Sequence, residues 1–414
     1  MPTSFFKLNL RQVIYALSDA LDLVGVTNIH HGKRVAYMSH LVAKNLNWSN
    51  ADLDELFQAS ILHDCGVSQT NVHAKLTQLQ WEEESNHCEI GAELLKQSTH
   101  LRHLSEVIKY HHTHWRILKD LDIPEHIKRF ANCIYMVDRI DVLTLTSTKG
   151  RTNVLLGTDD TIATINRLKN SWFNPELVES FNEIAASEAF WLGLEDLENS
   201  KDALAWVNQD QRRDFSFNEL KQLIKIFSSI VDAKSSFTRE HSQGVGALAR
   251  YIGNCMNISK TNCDMLEIAG LLHDIGKLRT PDDYLEKPSK LTDEEFAMLR
   301  RHSFDTYKIL QAIDGLEDIA MWASQHHEHI DGSGYPKHLK ESELSQEARI
   351  LAVADVFQAL AQNRPYRAPL EPEEILNILQ KEVEKSHLDE SVVNCVSHHL
   401  EDCWRTALLI NKHP

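Results

Sequence analysis

The chain has 414 residues, with 43 Lys and Arg against 60 Asp and Glu, so its formal charge is −17. That length predicts two or three domains, and the acidic balance argues against a protein that coats nucleic acid with basic surface. Glycine and proline are scarce, at 15 and 10 residues, which disfavours turn-rich all-β folds. Histidine, at 23 residues, outnumbers glycine, and imidazole is the side chain that binds transition metals.

Helical periodicity runs through most of the chain. Apolar residues recur at the i, i+3, i+4, i+7 spacing of an amphipathic helix in VIYALSDALDLVG, VAYMSHLVAKNL, FNELKQLIKIFSSIVDA and EEILNILQKEVEK. The sequence has no clear series of alternating strands, and its apolar stretches are too short to span a bilayer. The seven cysteines form no C-x-x-C pair. We therefore expect an all-α protein with reduced thiols, located in the cytoplasm.

The chain repeats itself. LDLVGVTNIHHGKRVAYMSHLVAKNL resembles VDAKSSFTREHSQGVGALARYIGNCM, and ASILHDCGVS resembles AGLLHDIGKL. The separation of His31 from His63 equals that of His241 from His273. We therefore predict a tandem duplication with an offset of about 210 residues.

The polar stretch around 194–215 is the expected connection between the repeats. It lacks the Gly, Ser and Pro content of a flexible linker, so we expect a helix or an ordered segment there. The predicted domains are then 1–200 and 201–414.

Each repeat carries an ordered set of histidines and aspartates. Imidazole and carboxylate ligands suit iron, manganese, zinc or nickel better than magnesium or calcium. An aspartate beside a histidine can bridge two ions, so we predict a binuclear centre that clamps a phosphoryl group for in-line attack. Recurrence of the set at matched spacing weighs against isolated surface or core histidines. The set is His241, His273, Asp274, His302, His326, His327 and Asp355 in the second repeat, and His31, His63, Asp64, His87, His111, His112 and Asp138 in the first.

The second repeat resembles the HD-GYP family of cyclic-dinucleotide phosphodiesterases, a branch of the HD metal-dependent phosphohydrolases. The likeness covers about residues 220–385 and rests on HDIGK at 273–277, HHEHIDGSGYP at 326–336 and NRPYR at 363–367. The resemblance implies tandem HD-type helical domains. It also implies hydrolysis of cyclic di-GMP or 3′3′-cyclic GMP-AMP.

The resemblance implies roles for individual residues as well. The second-repeat set would ligate two divalent ions, iron or manganese first and nickel or zinc as alternatives, with Asp274 as the bridge. Lys277 would lie near the scissile phosphate and, with Asp274, would be catalytic. Substrate contacts would come from Lys277, Gly332, Gly334, Tyr335, Pro336, Arg364 and Arg367.

Two positions depart from the family pattern. Phe237 stands where some members place a glutamate that ligates a third ion, so we expect two ions and a linear dinucleotide product. Glu240 is the only nearby carboxylate upstream that could change this. Gln358 replaces the second aspartate of the family's D-x-x-D pattern, a change that we expect the fold to tolerate.

The first repeat keeps the presumed ligands but loses the substrate-binding motifs. Val67 replaces the lysine of HDIGK, HHTHWRILKDLDIP replaces the GYP loop, and LTLTSTKGR has no RPYR. We expect a degenerate domain that binds metal but is catalytically weak or differently specific. The alternative is a packing or dimerisation module. We expect His30, beside His31, to be exposed rather than a ligand.

The leading hypothesis is a cytoplasmic bacterial enzyme that lowers a cyclic-dinucleotide signal. It would have no nucleic-acid or membrane partner, and a homodimer is left open. The alternative is a receptor or scaffold that binds the nucleotide without turnover, although the intact ligand set and Lys277 favour the enzyme. A third hypothesis, hydrolysis of another nucleotide such as a nucleoside triphosphate, is disfavoured by the GYP loop.

Overall fold

The chain folds into two mainly helical units. The computed structural model describes residues 4–24, 30–69, 86–147, 154–195, 206–207, 209, 211–234, 241–287, 289–362 and 368–408. Helices dominate these residues, with one small two-stranded sheet, so the all-α tandem fold is confirmed. One unit is Leu10–Gln211, and the other combines Met1–Asn9 with Arg212–Pro414. This division differs from the expected domains in that the first residues of the chain belong with the second unit.

The N-terminal unit is built around α2. This helix packs against α3, α7 and α9, and fully buried side chains such as Met38, Leu56 and Phe130 form the core. Its described α-helices are α1 (Leu10–Leu21), α2 (His31–Asn45), α3 (Asn50–Leu62), α4 (Asn86–Lys96), α5 (Ser105–Tyr110), α6 (Trp115–Leu118), α7 (Glu125–Ser147), α8 (Thr158–Arg167), α9 (Pro175–Ala185) and α10 (Glu188–Glu195).

The C-terminal unit is built in the same way around α12. This helix packs against α13, α17 and α20, over a core that includes Leu248, Leu272 and Phe357. The described α-helices are α11 (Phe217–Asp232), α12 (His241–Cys255), α13 (Lys260–Leu272), α14 (Asp282–Leu285), α15 (Asp293–Leu310), α16 (Glu317–Ser324), α17 (Gln346–Ala361), α18 (Pro372–Glu384), α19 (Glu390–His398) and α20 (Leu400–Ala407).

Side-chain caps set where the ligand-bearing helices begin. The hydroxyl of Ser259 caps α13, which leads into His273, and that of Ser345 caps α17, which carries Asp355. Thr292 caps α15 in a full capping box with Glu295. Because a capping hydroxyl satisfies backbone N–H groups that have no partner within the helix, these residues fix the starting points from which the ligands are placed.

The sheet belongs to the C-terminal unit. Strand β1 (Phe5–Asn9) runs antiparallel to β2 (Arg212–Ser216), in a register that pairs Phe5 with Ser216 and Asn9 with Arg212. The sequence does not predict this sheet, because each strand has only five residues and so gives too short a pattern to detect. Gly315 lets β1 approach the loop before α16, since a Cβ there would lie 2.9 Å from the Lys7 carbonyl oxygen.

No helix among the described residues combines the length and the apolar character that crossing a membrane would require.

Candidate metal centres

The second-repeat ligand set converges around Asp274. Its Oδ2 lies 3.3 Å from His273 Nε2 and 3.9 Å from His241 Nε2. Its Oδ1 lies 3.6 Å from His302 Nε2 and 3.8 Å from His326 Nε2. The two carboxylate oxygens therefore face two different pairs of imidazoles.

The remaining ligands complete two groups. Asp355 Oδ1 is 3.2 Å from His241 Nε2 and 3.6 Å from His273 Nε2, and His327 joins the second group. Within each group the ligand atoms lie within 4.8 Å of one another, and the groups are His241, His273 and Asp355, and His302, His326 and His327. All the predicted ligands of this repeat thus come together, with Asp274 between the groups.

The backbone fixes which ring nitrogen faces the cluster. The Nδ1 of His273 lies 2.7 Å from the carbonyl oxygen of Gly270, and His302 and His326 make the same contact with the carbonyl three residues earlier. An Nδ1–H that donates to a carbonyl leaves Nε2 unprotonated, with its lone pair directed at the neighbouring ligands. This arrangement is the usual support for metal-binding histidines.

Buried polar atoms without hydrogen-bond partners test whether the cluster fits a metal. Among the residues that the structure describes, His273 Nε2 and Asp274 Oδ1 are buried without such a partner, as are His63 Nε2 and Asp64 Oδ1 of the first repeat. Leaving such atoms unsatisfied is costly. A divalent cation between them would satisfy both the nitrogen lone pairs and the carboxylate charge, so the residues fit a metal in each repeat.

The electrostatics of the C-terminal cluster favour anionic carboxylates and neutral imidazoles at His302 and His327, whereas His273 holds a proton that a bound metal would replace. Burial opposes the ionisation of Asp274, but the neighbouring His273 and Lys277 outweigh burial and hold the pKa of Asp274 well below its ordinary value. Burial lowers the pKa of His302 to about 3, and that of His327 to about 4. Burial also works to lower the pKa of His273, but Asp274 and Asp355 outweigh it and raise this pKa to about 10. The field that holds a proton on His273 would also stabilise a cation there.

Lys277 lies at the edge of the cluster. Its Nζ is 2.5 Å from Asp274 Oδ2, and its side chain is 22 % exposed. The residue follows Gly276, where a Cβ would lie 2.1 Å from the carbonyl oxygen of His302. The glycine therefore allows the short 3₁₀ segment Ile275–Arg279 to pack directly on α15.

The GYP loop packs against the cluster at His327. Glu328, which is buried, accepts hydrogen bonds from the backbone N–H groups of Lys337 and Leu339, at 2.6 and 3.0 Å. Gly334 is required by close packing, since a Cβ there would lie 2.3 Å from the His329 nitrogen. The Tyr335 ring, followed by Pro336, lies 4.8 Å from the His327 ring.

The first repeat builds an equivalent cluster around Asp64. Asp64 Oδ2 is 3.4 Å from His63 Nε2 and 3.7 Å from His31 Nε2. Asp64 Oδ1 is 3.7 Å from His87 Nε2 and 4.0 Å from His111 Nε2. The two carboxylate oxygens of Asp64 therefore face two different pairs of imidazoles, as those of Asp274 do.

The other two predicted ligands of this repeat are also present. Asp138 Oδ1 is 3.4 Å from His31 Nε2, and Asp138 Oδ2 is 3.8 Å from His112 Nε2. Burial of Asp64 is outweighed by the surrounding imidazoles, beginning with His63, so its pKa falls to about 2. The degenerate repeat therefore retains the complete ligand geometry.

The surroundings of the two clusters differ. Val67, at the position of Lys277, is buried and carries no charge. Arg139 pairs with Asp138 at 2.8 Å, whereas Val356 follows the equivalent Asp355. Cys88 Sγ lies 3.6 Å from His87 Nε2. The first repeat thus places a guanidinium and a thiol where the second has a valine and a serine.

Comparison with known proteins agrees with the duplication. Residues 28–143 and 225–392 each match the HD domain family. The chain is 35% identical over 408 residues, or 97% of its length and 94% of the relative's, to the 3′3′-cGAMP-specific phosphodiesterase 1 of Vibrio cholerae. The chain belongs to the HD-GYP family.

Other similarities cover different parts of this HD-GYP protein. A cyclic di-GMP phosphodiesterase of Thermotoga maritima is 38% identical over 157 residues, which is 37% of this chain and 43% of that one. A crystal structure of a cyclic GMP-AMP-specific phosphodiesterase of V. cholerae covers 99% of both chains with a TM-score of 0.64 and 22% identity. That last likeness shows a shared fold. HD domains are metal-dependent hydrolases, and each repeat contains a histidine and aspartate cluster that could bind metal.

Some predicted residues of the HD-GYP site lie outside the described part of the chain. They are Arg364 and Arg367 of NRPYR, and Phe237 and Glu240 before the first ligand of the second repeat. His30, expected to be exposed, is half-buried, and its Nδ1 lies 3.7 Å from Asp22 Oδ2.

Sequence reasoning missed the partners that hold the first histidine of each repeat. His31 Nδ1 is 2.7 Å from Asp141 Oδ2, while His241 Nδ1 is 3.0 Å from Gln362 Oε1. Gln358, which replaces the family aspartate, donates from Nε2 to the Ala407 carbonyl at 3.0 Å. In the second repeat, Gln362, the residue that follows α17, thus contacts His241 from one helical turn beyond the position of Gln358.

Proposed function

We propose that the protein is a metal-dependent phosphodiesterase that hydrolyses a 3′,5′-cyclic dinucleotide to the linear dinucleotide. The observation that carries the proposal is the placement of Asp274 between two histidine groups, with the Lys277 ammonium at 2.5 Å. The relatives are named for 3′3′-cGAMP and for cyclic di-GMP, so these two nucleotides are the candidate substrates.

The metals would be held by the two groups described above. His241, His273 and Asp355 would bind one divalent ion, His302, His326 and His327 the other, and Asp274 would bridge them. Such ions polarise phosphoryl oxygens and activate water for in-line attack. Iron and manganese fit these nitrogen and oxygen ligands, and nickel or zinc are alternatives.

Lys277 would act on the phosphate. As the water oxygen bonds to phosphorus and the bond to the 3′-oxygen breaks, negative charge develops on the phosphoryl oxygens and on the departing 3′-oxygen. A partly exposed ammonium beside the cluster stabilises that charge. The 3′-oxygen then takes a proton, and the product is a linear dinucleotide with one phosphodiester left.

Substrate would be held by the loop and by the cations of NRPYR. Gly334 and Pro336 shape the loop, and the Tyr335 ring offers a flat apolar surface beside His327. Arg364 and Arg367 are proposed to contribute positive charge. We also propose that the N-terminal cluster binds metal without efficient turnover, since Val67 supplies no ammonium, and that the protein acts in the bacterial cytoplasm without nucleic acid as a partner.

The test incubates purified protein, loaded with manganese or iron, with cyclic di-GMP, 3′3′-cyclic GMP-AMP and cyclic di-AMP, and separates the products chromatographically. We expect one or both guanine-containing nucleotides to be cleaved to the linear form. Asp274→Ala should abolish turnover, and Asp64→Ala should leave much of it. Tight binding of a nucleotide without cleavage would instead establish a receptor. Loss of turnover only in Asp64→Ala would show that the active site lies in the first repeat, against the proposal.

A further inference from the structure

Arg300 is a cation two residues before the ligand His302. Its guanidinium carbon lies 4.7 Å from the centre of the Tyr335 ring and 6.0 Å from that of Phe296. Among the residues that the structure describes, no carboxylate forms an ion pair with it. The neighbouring Arg301, in contrast, pairs with Asp305 at 3.2 Å.

The stack connects Arg300 to the metal ligands. Tyr335 lies against both Arg300 and His327, at 4.7 Å and 4.8 Å. The backbone N–H of Tyr335 also donates to the His327 carbonyl at 3.0 Å, which places the main chain of Tyr335 next to that of His327. Arg300 therefore contacts a ring that itself lies against one of the metal-binding residues.

The guanidinium carbon of Arg300 lies over the Tyr335 ring. A guanidinium that stacks its face on an aromatic ring keeps its N–H donors directed sideways, in the fork that matches two oxygens of a phosphate. Arg300 is only partly exposed. Binding of an anion there requires the loss of no existing ion pair.

The substrate supplies such an anion. A cyclic dinucleotide has two phosphodiesters, and when one lies at Asp274 and Lys277 the other must lie elsewhere along the ring. We infer that Arg300, which lies over the Tyr335 ring, binds the phosphodiester that is not being cleaved. This inference rests on the proposed function. The first repeat has Ser85 two residues before His87 where the second has Arg300 before His302, so that repeat lacks this cation.

The experiment compares Arg300→Ala with Arg301→Ala as the matched control, using cyclic dinucleotides and bis(4-nitrophenyl) phosphate, which has one phosphodiester. Loss of a charged bidentate contact corresponds to about a 10- to 100-fold rise in KM. We expect that rise for the cyclic dinucleotide relative to the single-diester substrate, with a smaller change in kcat. Arg300→Lys should be intermediate, because it keeps charge without the planar fork.

Several results would overturn the inference. An equal loss on both substrates would mean that Arg300 only supports the loop. A loss confined to guanine-containing nucleotides would mean that it reads a base. Arg300→Ala behaving as Arg301→Ala would exclude a role in binding.

A binding measurement separates this inference from the proposed function. The dissociation constant of a phosphorothioate cyclic dinucleotide is measured for the wild type and for Arg300→Ala. If the wild type binds the phosphorothioate but cleaves none of the natural cyclic dinucleotides, the proposed function fails. Weaker binding of the phosphorothioate by Arg300→Ala would still support the subsite. If the wild type neither binds nor cleaves, both are wrong.

Discussion

Lys277 is the side chain whose contribution can be separated most cleanly from metal binding. Its ammonium contacts Asp274 but is not a ligand. We predict that Lys277→Ala lowers kcat for the cyclic dinucleotide by about 10²- to 10³-fold, the loss typical of removing one donor to a developing charge. Steady-state kinetics and metal analysis on the same samples check this.

Lys287→Ala is the control for that substitution. The Nζ of Lys287 lies 2.6 Å from Glu295 Oε2, and neither residue is a ligand of the cluster. We therefore expect Lys287→Ala to leave kcat unchanged. An unaltered kcat in Lys277→Ala would mean that Lys277 forms an ion pair with Asp274 but does not contribute to catalysis. A large loss of metal in the same variant would show that it supports the ligands instead.

Comparison of the repeats explains which residues could be predicted from sequence. The ligands were found because both copies keep them in the same order. The residues that support the ligands could not be predicted in this way, because they differ between the copies. In the first repeat Arg34 pairs with Asp141 at 2.6 Å, whereas the equivalent positions of the second repeat hold Gly244 and Gln358. A Cβ on Gly244 would lie 2.2 Å from Gln358 Nε2. The two substitutions therefore depend on each other, which only the folded contact reveals.

Packing of the segment after each H-D pair is the critical contact at the level of elements. A Cβ at Gly276 would lie 2.1 Å from the His302 carbonyl oxygen, and one at Gly66 would lie 2.0 Å from that of His87. Because these neighbours are backbone atoms, α15 or α4 must shift to admit a methyl group. We predict that Gly276→Ala and Gly66→Ala each destabilise the protein by about 1–3 kcal/mol, but that only Gly276→Ala abolishes turnover.

Denaturant unfolding and activity assays check this pair. Gly193→Ala is the matched control, since a Cβ there would be 3.7 Å from its nearest neighbour, the Tyr37 hydroxyl, and alanine favours a helix. Equal loss of turnover in both glycine variants would mean that the activity depends on the N-terminal cluster as much as on the C-terminal one.

The GYP loop shows the same limit on prediction at this scale. Its motif identified the loop and the residues Gly334 and Tyr335. The hydrogen bonds of the buried Glu328 depend on how the loop folds back on itself, and the contact of Arg300 with Tyr335 depends on how α15 meets the loop. Periodicity places residues on a helix face but does not state which loop covers that face.

Two ligand clusters, one in each unit, make metal content a property of the whole molecule. We predict that Asp64→Ala and Asp274→Ala each remove about half of the metal bound by manganese-loaded wild type, because each aspartate lies between two histidine groups and is the natural bridge. Mass spectrometry of the metal per chain measures this. Wild-type content in Asp64→Ala would mean that the N-terminal histidines serve packing rather than metal binding.

The pairing of β1 with β2 means that the N-terminal unit is an insertion within the chain of the C-terminal one. Asn9 and Arg212 lie opposite each other in the register, so the chain leaves the sheet at one of them and returns at the other. A two-residue turn would close the same hairpin, which means that the C-terminal unit does not need residues 10–211 to complete its sheet. During synthesis the first strand must wait for its partner until the whole inserted unit has been made. In chain order, one copy of the duplication is thus inserted after the first strand of the other.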